Sequence, residues 1–374
     1  MRGKKGRIRA LFFLMLADMM LVCGCSVKMQ ELSDSQEKSP DGLLTVTFLD
    51  VGQGNAILAE QEGAYMLIDG GDREYSSYVV SYLQKQGVEK LDYVIASHYD
   101  ADHLNGVVGA LNALECDMVL APDYVTDSRV YDSFCAVIEE KDIPLVYPAV
   151  GDTYSFGEAE FTVVCPDTYE YADDNDNSVG IRLVYGENSF LICGDAGKAT
   201  EERMVDSGQT LRSDVYLASH HGSAGSSYRF FLEEVQPEAV VISAGFKNSY
   251  GHPSGVVLSN IRNLGAALYR TDLQGEIVVT SDGSNLSWNA QPCMDYRSGE
   301  EITEGGQTEE GETQQSTENM SEEAVFLLNM STKKFHRPDC SSVEDMNEEN
   351  KAAFSGSREE LMEAGYSPCG RCNP

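Results

Sequence analysis

The chain has 374 residues and a formal net charge of -34, with 61 acidic residues against 27 basic ones. This length accommodates a large core together with a small second module. So acidic a surface repels polyanions at long range, which counts against loose, sequence-blind nucleic-acid binding driven by phosphate neutralisation. A polyanionic substrate that is attracted by bound metal cations is not excluded, because the charge of the metal dominates locally.

The first 25 residues have the pattern of a secretory targeting segment. Basic residues between Arg2 and Arg9 precede an apolar run from Ala10 to Val22, which is too short to span a bilayer comfortably. The run ends in Val-Cys-Gly-Cys25, which resembles a bacterial lipobox that is cleaved and lipidated at Cys25. An uncleaved N-terminal anchor is the alternative. Both interpretations place the protein outside the cytoplasm, on the outer face of the cell membrane.

Residues 26–42 are polar and predict a tether, and residues 43–290 predict a globular body in which short apolar runs alternate with helical patterns. Strands are predicted at 44–49, 55–59, 64–69, 91–96, 161–165, 179–184, 189–193, 215–218, 239–242 and 276–280. Helices are predicted at 75–86, 104–114, 199–205 and 254–263. Strand meanders mixed with crossover helices indicate an α/β fold with two sheets flanked by helices.

The segment 97–106 places four good metal ligands directly after a predicted buried strand. These ligands are His98, Asp100, Asp102 and His103. Side chains on a loop that leaves a strand end are held by a rigid scaffold and can converge on a metal. Imidazole and carboxylate ligands together suit zinc, manganese or iron and do not suit calcium.

Further candidate ligands follow later strands of the body. The chain has only 6 histidines, and three of those outside the segment 97–106 occur in two short motifs, at His220-His221 and at His252. Asp195 follows the apolar strand 190–193, so its carboxylate is expected to emerge at a sheet edge. A carboxylate in that place can bridge two metal ions about 3.5–4 Å apart.

The order of these motifs resembles the metallo-β-lactamase fold and, more closely, the hydrolase domain of the ComEC competence-protein family. The resemblance rests on the segments 48–55, 67–71, 97–106, 177–178, 191–195, 220–223 and 250–253. Asn55 stands where that family usually has aspartate, and Asp100 agrees with the family where other superfamily members have histidine. The fold that the resemblance implies is an αββα sandwich.

The resemblance also implies a dinuclear site with two divalent metals, zinc or manganese. One metal would be held by His98, Asp100 and Asp195, and the other by Asp102, His103, Asp195 and His252. The first group is poor in nitrogen, which shifts the preference from zinc toward manganese.

The resemblance also implies roles for residues around the metals. Asp102, His220 and His221 are the expected catalytic residues. One of the two histidines would be a ligand, while the other would protonate the leaving oxygen or bind a phosphate oxygen. The sequence does not decide between them. Further polar residues would orient the ligands from behind, namely Asp50, Asp69, Asn177 and Ser178.

The composition changes from residue 291 to residue 323. The segment 300–318 has neither apolar periodicity nor a basic residue, which predicts a disordered, self-repelling acidic linker. A second module is predicted at 324–374.

The module has the ligand spacing of a zinc site. His336 and Cys340 are followed by Cys369 and Cys372, and four such ligands predict a structural zinc that stabilises a small α+β module. Disulfides or free thiols would not account for His336. The module resembles the zinc-binding N-terminal domain of the Ada repair protein. His336 stands where Ada has its methyl-accepting cysteine, so methyl transfer is not expected.

These patterns together predict a lipid-anchored, extracytoplasmic metal-dependent hydrolase that cleaves phosphodiesters through a metal-activated water. DNA is the expected substrate, and the expected partners are nucleic acid, the membrane through the lipid anchor and the cell wall. Two alternatives stay open. One is a phosphodiesterase for cell-wall or lipid head-group phosphodiesters, and the other is a non-catalytic protein that binds DNA or cell wall.

Overall fold

The structure is a computed structural model that describes residues 42–305, 325–338, 340–344, 346–347, 350–355, 358–372 and 374. The predicted signal peptide with Cys25, nearly all of the predicted tether, and residues 306–323 of the predicted linker lie outside the described residues. Among the helices of the described part, none combines the length and the apolar character that crossing a membrane requires.

The secondary structure alternates between strands and helices along the described chain. The strands are β1 (Leu44–Phe48), β2 (Ile57–Gln61), β3 (Ala64–Ile68), β4 (Lys90–Leu91), β5 (Tyr93–Ile95), β6 (Glu115–Cys116), β7 (Val119–Leu120), β8 (Leu145–Val146), β9 (Thr153–Phe156), β10 (Ala159–Cys165), β11 (Gly180–Tyr185), β12 (Asn188–Ile192), β13 (Val215–Leu217), β14 (Ala239–Ile242), β15 (Ala267–Arg270), β16 (Ile277–Ser281), β17 (Leu286–Trp288), β18 (Val325–Asn329), β19 (Lys334–His336), β20 (Lys351–Ser355) and β21 (Ser367–Pro368). The helices are α1 (Ser76–Lys85), α2 (Ala101–Ala113), α3 (Arg129–Lys141), α4 (Lys198–Asp206), α5 (Arg229–Val235), α6 (Gly255–Leu264), α7 (Thr271–Gln274), α8 (Gly299–Gly305), α9 (Ser341–Glu344) and α10 (Arg358–Glu363). Short 3-10 turns add Asp174–Asn177 and Ser219–Gly222.

Two large sheets form the body. The first has eight strands in the order β17-β16-β1-β2-β3-β5-β7-β8, and the second has seven in the order β15-β14-β13-β12-β11-β10-β9. In each sheet the strands that follow a helical crossover pair in parallel, as β3 does with β5 and β12 with β13. Parallel strands end on the same edge of their sheet, so the loops that follow them can meet in one place.

The body has four layers, helix on sheet on sheet on helix. The inner faces of the two sheets share one apolar core that includes Phe48 and Phe190. The outer face of the first sheet packs against α1, α2 and α3, for example through Leu104. The outer face of the second sheet packs against α4, α5 and α6, for example through Phe231. The predicted αββα sandwich is therefore confirmed.

The sequence accounts for the elements that carry the loops of interest. β12 is buried along its whole length, because the inner core covers one face and helices cover the other. α6 begins where the Ser254 hydroxyl accepts a hydrogen bond from the Val257 N–H, and it ends at Gly265, whose φ of 81° is left-handed.

The structure differs from the predicted pattern in the number of elements and in the predicted linker. The apolar periodicity does not single out several elements of the body, among them α3, α5, β9, β15, β17 and the two-residue strands β7 and β8. Residues 291–305, assigned to the disordered linker, are ordered and end in α8. Cys293 and Ser298 before the helix and Ile302 within it are buried. Two isolated apolar side chains pack on the body here, so the low hydrophobicity of the segment is misleading as far as residue 305.

The C-terminal part forms a small α+β unit of its own. Its four strands are ordered β20-β18-β19-β21, and Phe326, Leu328, Phe335 and Leu361 make an apolar cluster between the sheet and α10. The cluster is too small to fold a domain of this size alone, which fits a unit stabilised by a metal.

Candidate metal centre

The candidate ligands follow strands of both sheets. The segment with His98 and His103 follows β5 of the first sheet, whereas Asp195 and the pair His220-His221 follow the adjacent parallel strands β12 and β13 of the second. The two sheets face each other across the inner core, so one edge of the sandwich receives loops from both. The predicted convergence of these motifs is therefore observed.

Two overlapping clusters of ligand atoms lie at this edge. His98, His103 and Asp195 each offer an atom within 4.8 Å of the others, and so do Asp102, His103 and His221. Asp195 belongs to the first cluster and also contacts the second, with Oδ1 3.2 Å from His103 Nε2 and Oδ2 3.4 Å from His221 Nε2. Its carboxylate can therefore contact two cations at once, as the strand-end position predicts.

The second cluster differs from the predicted ligand set. His221 is buried and lies 3.5 Å from Asp102 Oδ2 and 3.3 Å from His103 Nε2. His252 stands farther out, with its ring centroid 6.3 Å from that of His221 and its Nδ1 3.3 Å from the Gln53 amide. The geometry therefore places His221 where the sequence analysis expects His252.

The remaining two candidates of the site are more open to solvent. Asp100 has a side chain that is 57% exposed, and its Oδ2 lies 3.8 Å from His98 Nε2. The side chain of His220 is 30% exposed and its Nε2 lies 3.8 Å from Asp195 Oδ2. The side chain of His221 is only 2% exposed, so the structure distinguishes the two adjacent histidines, which the sequence alone does not.

Polar groups behind the clusters fix the directions of the ligand side chains. Asp69 accepts hydrogen bonds from the Ser97 N–H at 2.8 Å, the Ser97 hydroxyl at 2.7 Å and His103 Nδ1 at 2.8 Å. His103 Nε2 is therefore left for the centre. Ser178 Oγ accepts a hydrogen bond from the Asp195 N–H at 3.1 Å, and His221 Nδ1 donates to the Ser243 carbonyl at 3.0 Å. Such partners set the tautomer and orientation of ligating histidines.

Asn177 and Asp50 make different contacts from those of Asp69 and Ser178. The Asn177 side chain exchanges hydrogen bonds with the backbone of Tyr171 and so holds a neighbouring loop. Asp50 accepts a hydrogen bond from the Gly52 N–H at 3.1 Å and forms an ion pair with Arg358 of the C-terminal unit. These contacts support the loops around the centre, and they do not orient a ligand ring directly.

The turn after β13 has an unusual backbone. His220, His221 and Gly222 have φ values of 53°, 57° and 76°, so three consecutive residues are left-handed. The Glu201 carboxylate, buried below this turn, accepts hydrogen bonds from the N–H groups of Ser227 and Tyr228. A strained turn persists only where its surroundings hold it, and these bonds restrain the segment that follows it. Sequence reasoning missed Glu201, since nothing in the pattern marks a helix glutamate as buried.

Burial and neighbouring charges shift the pKa values of the carboxylate and imidazole groups of the centre. Burial alone would raise the pKa of Asp195, but the adjacent His103 and His221 hold it well below its usual range. Burial, with a smaller contribution from His103, lowers the pKa of His98. Burial and the neighbouring His221 and His220 lower the pKa of His252 to about 4. Burial alone would lower the pKa of His103 and His221, but the nearby carboxylates raise the pKa of His103 well above its usual value and that of His221 to about 9. Metals bind the neutral imidazole, so a metal that binds at these two rings displaces their protons.

Buried atoms without hydrogen-bond partners test whether a metal fits. His98 Nε2 is buried and has no hydrogen-bond partner in the described structure. Burying an unpaired acceptor is costly, and metal coordination removes that cost. The donor set of imidazole nitrogens and carboxylate oxygens suits first-row divalent ions. The residues of this centre therefore fit divalent metals.

The C-terminal unit contains a second and separate group. Ligand atoms of His336, Cys340, Cys369 and Cys372 lie within 4.8 Å of one another, and all four residues are buried. Both ring nitrogens of His336 are buried without a hydrogen-bond partner in the described structure. The side chain of Cys372 lowers the pKa of Cys369 to about 4, toward the thiolate that binds metal. This set fits a closed tetrahedral zinc site.

Comparisons with known proteins agree with the fold and the centre. A family model described as the Metallo-beta-lactamase superfamily matches residues 49–245, more than half of the 374-residue chain. Competence protein ComA of Neisseria gonorrhoeae is 31% identical over 245 residues, which are 64% of this chain and 33% of ComA. ComE operon protein 3 of Bacillus subtilis is 26% identical over 250 residues, which are 62% of this chain and 32% of that protein.

The chain thus spans about a third of the length of these curated relatives. The resemblance to the ComEC hydrolase domain is confirmed by these matches, whereas the Ada-like character of the C-terminal unit stays a prediction. Among solved structures, the metallo-beta-lactamase fold protein YhfI from Bacillus subtilis has a TM-score of 0.42 at 13% identity, covering 64% of this chain and 100% of YhfI. The order of the strands, the ligand clusters at one edge of the sandwich and the family match agree. The chain belongs to the metallo-beta-lactamase superfamily and is a metal-dependent hydrolase.

Proposed function

We propose that the chain is an extracytoplasmic phosphodiesterase that hydrolyses DNA through a metal-activated water. The observation that carries the proposal is the pair of clusters that share His103, with Asp195 of the first cluster also contacting His221 of the second. Two divalent metals held a few ångströms apart are a recurring arrangement for in-line displacement at phosphate. The similarity to a competence protein supports DNA as the substrate.

The ligand assignment starts from the observed clusters. His103 belongs to both and is assigned to the second metal, and Asp100 belongs to neither and is included because its Oδ2 lies 3.8 Å from His98 Nε2. One divalent ion, zinc or manganese, would be held by His98, Asp100 and Asp195, and a second by Asp102, His103, Asp195 and His221. His221 takes the place that the sequence analysis gives to His252. The first group has one nitrogen and otherwise oxygens, so manganese is the better candidate there.

The chain's own residues provide orientation and a proton. When bound, the metals lower the pKa of a coordinated water and stabilise negative charge on the phosphate oxygens. Asp69 holds the ring of His103, and the Ser243 carbonyl holds the ring of His221. His220 is the more exposed histidine of the pair and faces the open side of the centre. It is the candidate to protonate the leaving oxygen or to bind a phosphate oxygen.

The location of the enzyme is part of the proposal. Residues 1–25 are proposed to be a lipoprotein-type signal peptide, with Cys25 lipidated and residues 26–42 as the tether. The lipid would hold the hydrolase on the outer face of the cell membrane, next to incoming nucleic acid and to the cell wall. The acidic linker leads to the C-terminal unit, which contacts the body through the ion pair of Arg358 with Asp50.

A second candidate function is favoured by the net charge of -34, which repels a polyanion. Under it the same centre hydrolyses cell-wall or lipid head-group phosphodiesters, for which the tether provides proximity. A protein that binds DNA or cell wall without turnover is disfavoured by the convergence of the ligand set.

Hydrolysis assays on several substrates distinguish these functions. We expect the purified chain with manganese or zinc to cleave DNA, and Asp102→Ala to lower the rate at least about 100-fold, because one cluster loses its carboxylate. The exposed Asp127, which lies outside the centre, provides the matched control Asp127→Ala. Teichoic-acid and glycerophosphodiester substrates are assayed in parallel. Cleavage of those substrates with DNA left intact would replace the proposed function by the second candidate.

The C-terminal unit is proposed to hold one structural zinc. Cys369→Ser is expected to remove about one zinc per chain and to unfold the unit, because zinc binding supplies most of the folding free energy of such units. Zinc analysis and thermal unfolding measure both effects. Cys135→Ser, at an exposed free cysteine of α3, is the control and should retain the full zinc content. Equal zinc content in the two variants would refute the assignment.

A further inference from the structure

An exposed tyrosine stands at the rim of the metal centre. Tyr250 is 70% exposed, and its ring lies on that of His252 with a centroid distance of 5.7 Å and an angle of 27° between the planes. His252 in turn lies beside His220, at a centroid distance of 5.7 Å. Tyr250 thus presents one face of its ring to solvent, and only His252 separates it from His220, the candidate proton donor.

The turn that carries this tyrosine is tightly held. The Asn248 side-chain amide donates to the Gly245 carbonyl at 2.7 Å and to the His252 carbonyl at 2.5 Å. The Asn248 Oδ1 accepts hydrogen bonds from the N–H groups of Tyr250 and His252, each at 3.1 Å. Four such bonds hold the turn in one conformation before a ligand binds. Stacking of a ligand on the Tyr250 ring therefore costs little conformational entropy of the protein.

Two cavities are lined in part by Tyr250. One of about 430 Å³ is lined by Ser223, Ser254 and Glu300, and the other of about 270 Å³ is lined by Gln53, Tyr75 and Arg358. Asn248, Ser249 and Tyr250 line both cavities, so the two cavities adjoin at this turn. We define these two cavities and the turn between them as the Tyr250 groove.

The lining of the Tyr250 groove is polar without being basic. It contains several hydroxyl and amide groups, Glu74 and Glu300 contribute negative charges, and the Arg358 guanidinium is paired with Asp50. Phosphate groups would find little attraction here. A neutral flat ring with polar edges would find a stacking face in Tyr250 and hydrogen-bond partners on both sides of it.

We propose that the Tyr250 groove binds unpaired nucleotides next to the scissile phosphate, with one base stacked on the exposed face of Tyr250. The inference rests on the proposed function, which it deepens by naming single-stranded nucleic acid as the preferred substrate. Bases in a duplex are stacked on each other and present no free face, whereas unpaired bases stack on aromatic side chains with little dependence on sequence. Stacking also accounts for binding without a basic surface.

Binding measured without turnover tests the groove. All proteins carry Asp102→Ala, and a fluorescein-labelled 12-nucleotide oligothymidylate is followed by fluorescence anisotropy. Adding Tyr250→Ala is expected to weaken binding about 10-fold, whereas adding Tyr250→Phe keeps the affinity, because a phenyl ring still stacks. Tyr147→Ala is the matched control, since Tyr147 is a 48% exposed tyrosine that does not line the groove.

An abasic oligonucleotide of equal length and charge isolates the role of the base. We expect it to bind about 10-fold more weakly than oligothymidylate and to be insensitive to Tyr250→Ala. Equal losses on both oligonucleotides, no effect of Tyr250→Ala, or no oligonucleotide binding at all would overturn the groove. Base-dependent binding by a chain whose unsubstituted form cleaves no DNA would support the groove and refute the proposed nuclease. DNA cleavage that is indifferent to Tyr250→Ala would refute the groove alone.

Discussion

Asp195→Asn is expected to lower the hydrolysis rate by roughly 1,000-fold or more, because one substitution disables both metal clusters at once. Asp195 is buried at the end of β12, and its two oxygens contact His103 and His221 separately. An amide is uncharged and offers one oxygen in place of two. The side chain would therefore lose the ability to serve two cations while keeping its size and its place in the fold.

Metal content and thermal unfolding, measured with the rate, separate loss of the centre from loss of the fold. We expect the variant to keep the zinc of the C-terminal unit and to lose metal from the body. Asp100→Asn is the graded comparison, since Asp100 is largely exposed and contacts only the rim of the first cluster, next to His98. Its loss of rate should be much smaller. If Asp195→Asn remained within about 10-fold of the unsubstituted rate, the sharing of Asp195 between two metals would be wrong.

Gly106→Ala is expected to destabilise the body by about 3 kcal/mol and to weaken metal binding. A Cβ atom at Gly106 would lie 1.8 Å from the Gly70 carbonyl oxygen, and a Cβ at Gly70 would lie 2.3 Å from the Val107 nitrogen. The backbone of α2 thus packs directly on the turn after β3, where the Gly70 N–H donates to the His103 carbonyl at 2.7 Å. A methyl group there must push α2, and His103 with it, away from the centre.

Chemical denaturation measures the loss of stability, and isothermal titration with manganese measures the loss of affinity. Gly255→Ala serves as the stability control, because Gly255 is also a helix residue and a Cβ there would meet no heavy atom within 4 Å. That variant should unfold at the same denaturant concentration as the unsubstituted chain or slightly higher. An equal, small effect of both substitutions would show that α2 can move away without cost.

The sequence predicts the sandwich because most of its long strands and helices are marked by local patterns of apolar, capping and turn residues. Strands such as β12 are short apolar runs that end at glycine or aspartate, and α6 carries both a serine cap and a terminal glycine. The strands β7 and β8 have two residues each, which is too short for any periodicity. β7 forms because it pairs with β5, and β8 forms because it pairs with β7, which is a tertiary effect.

The sequence predicts which residues belong to the metal centre better than it predicts how they are arranged there. His98, His103 and Asp195 converge as their strand-end positions predict. The choice between His221 and His252 depends on a turn with three left-handed residues, which no local pattern specifies. Here the backbone directs His221 inward, while His252 is held at the rim by Gln53.

Long-range pairing explains what else the sequence does not reveal. Arg358 and Asp50 are 308 positions apart and form an ion pair that joins the C-terminal unit to the body. A polar linker of low complexity predicts a freely tethered module. Only the three-dimensional arrangement brings the two charges together, beside the Tyr250 groove.

The most direct test of the account is metal titration of phosphodiester hydrolysis by the unsubstituted chain after chelation of the body metals. Bis-p-nitrophenyl phosphate is the substrate, because its hydrolysis requires no recognition of a base or a polymer. The account predicts no hydrolysis without added metal and a rise to a plateau at about two manganese or zinc ions per body. A folded, metal-saturated chain that hydrolyses no phosphodiester, or a rate that is unchanged by chelation, would contradict it.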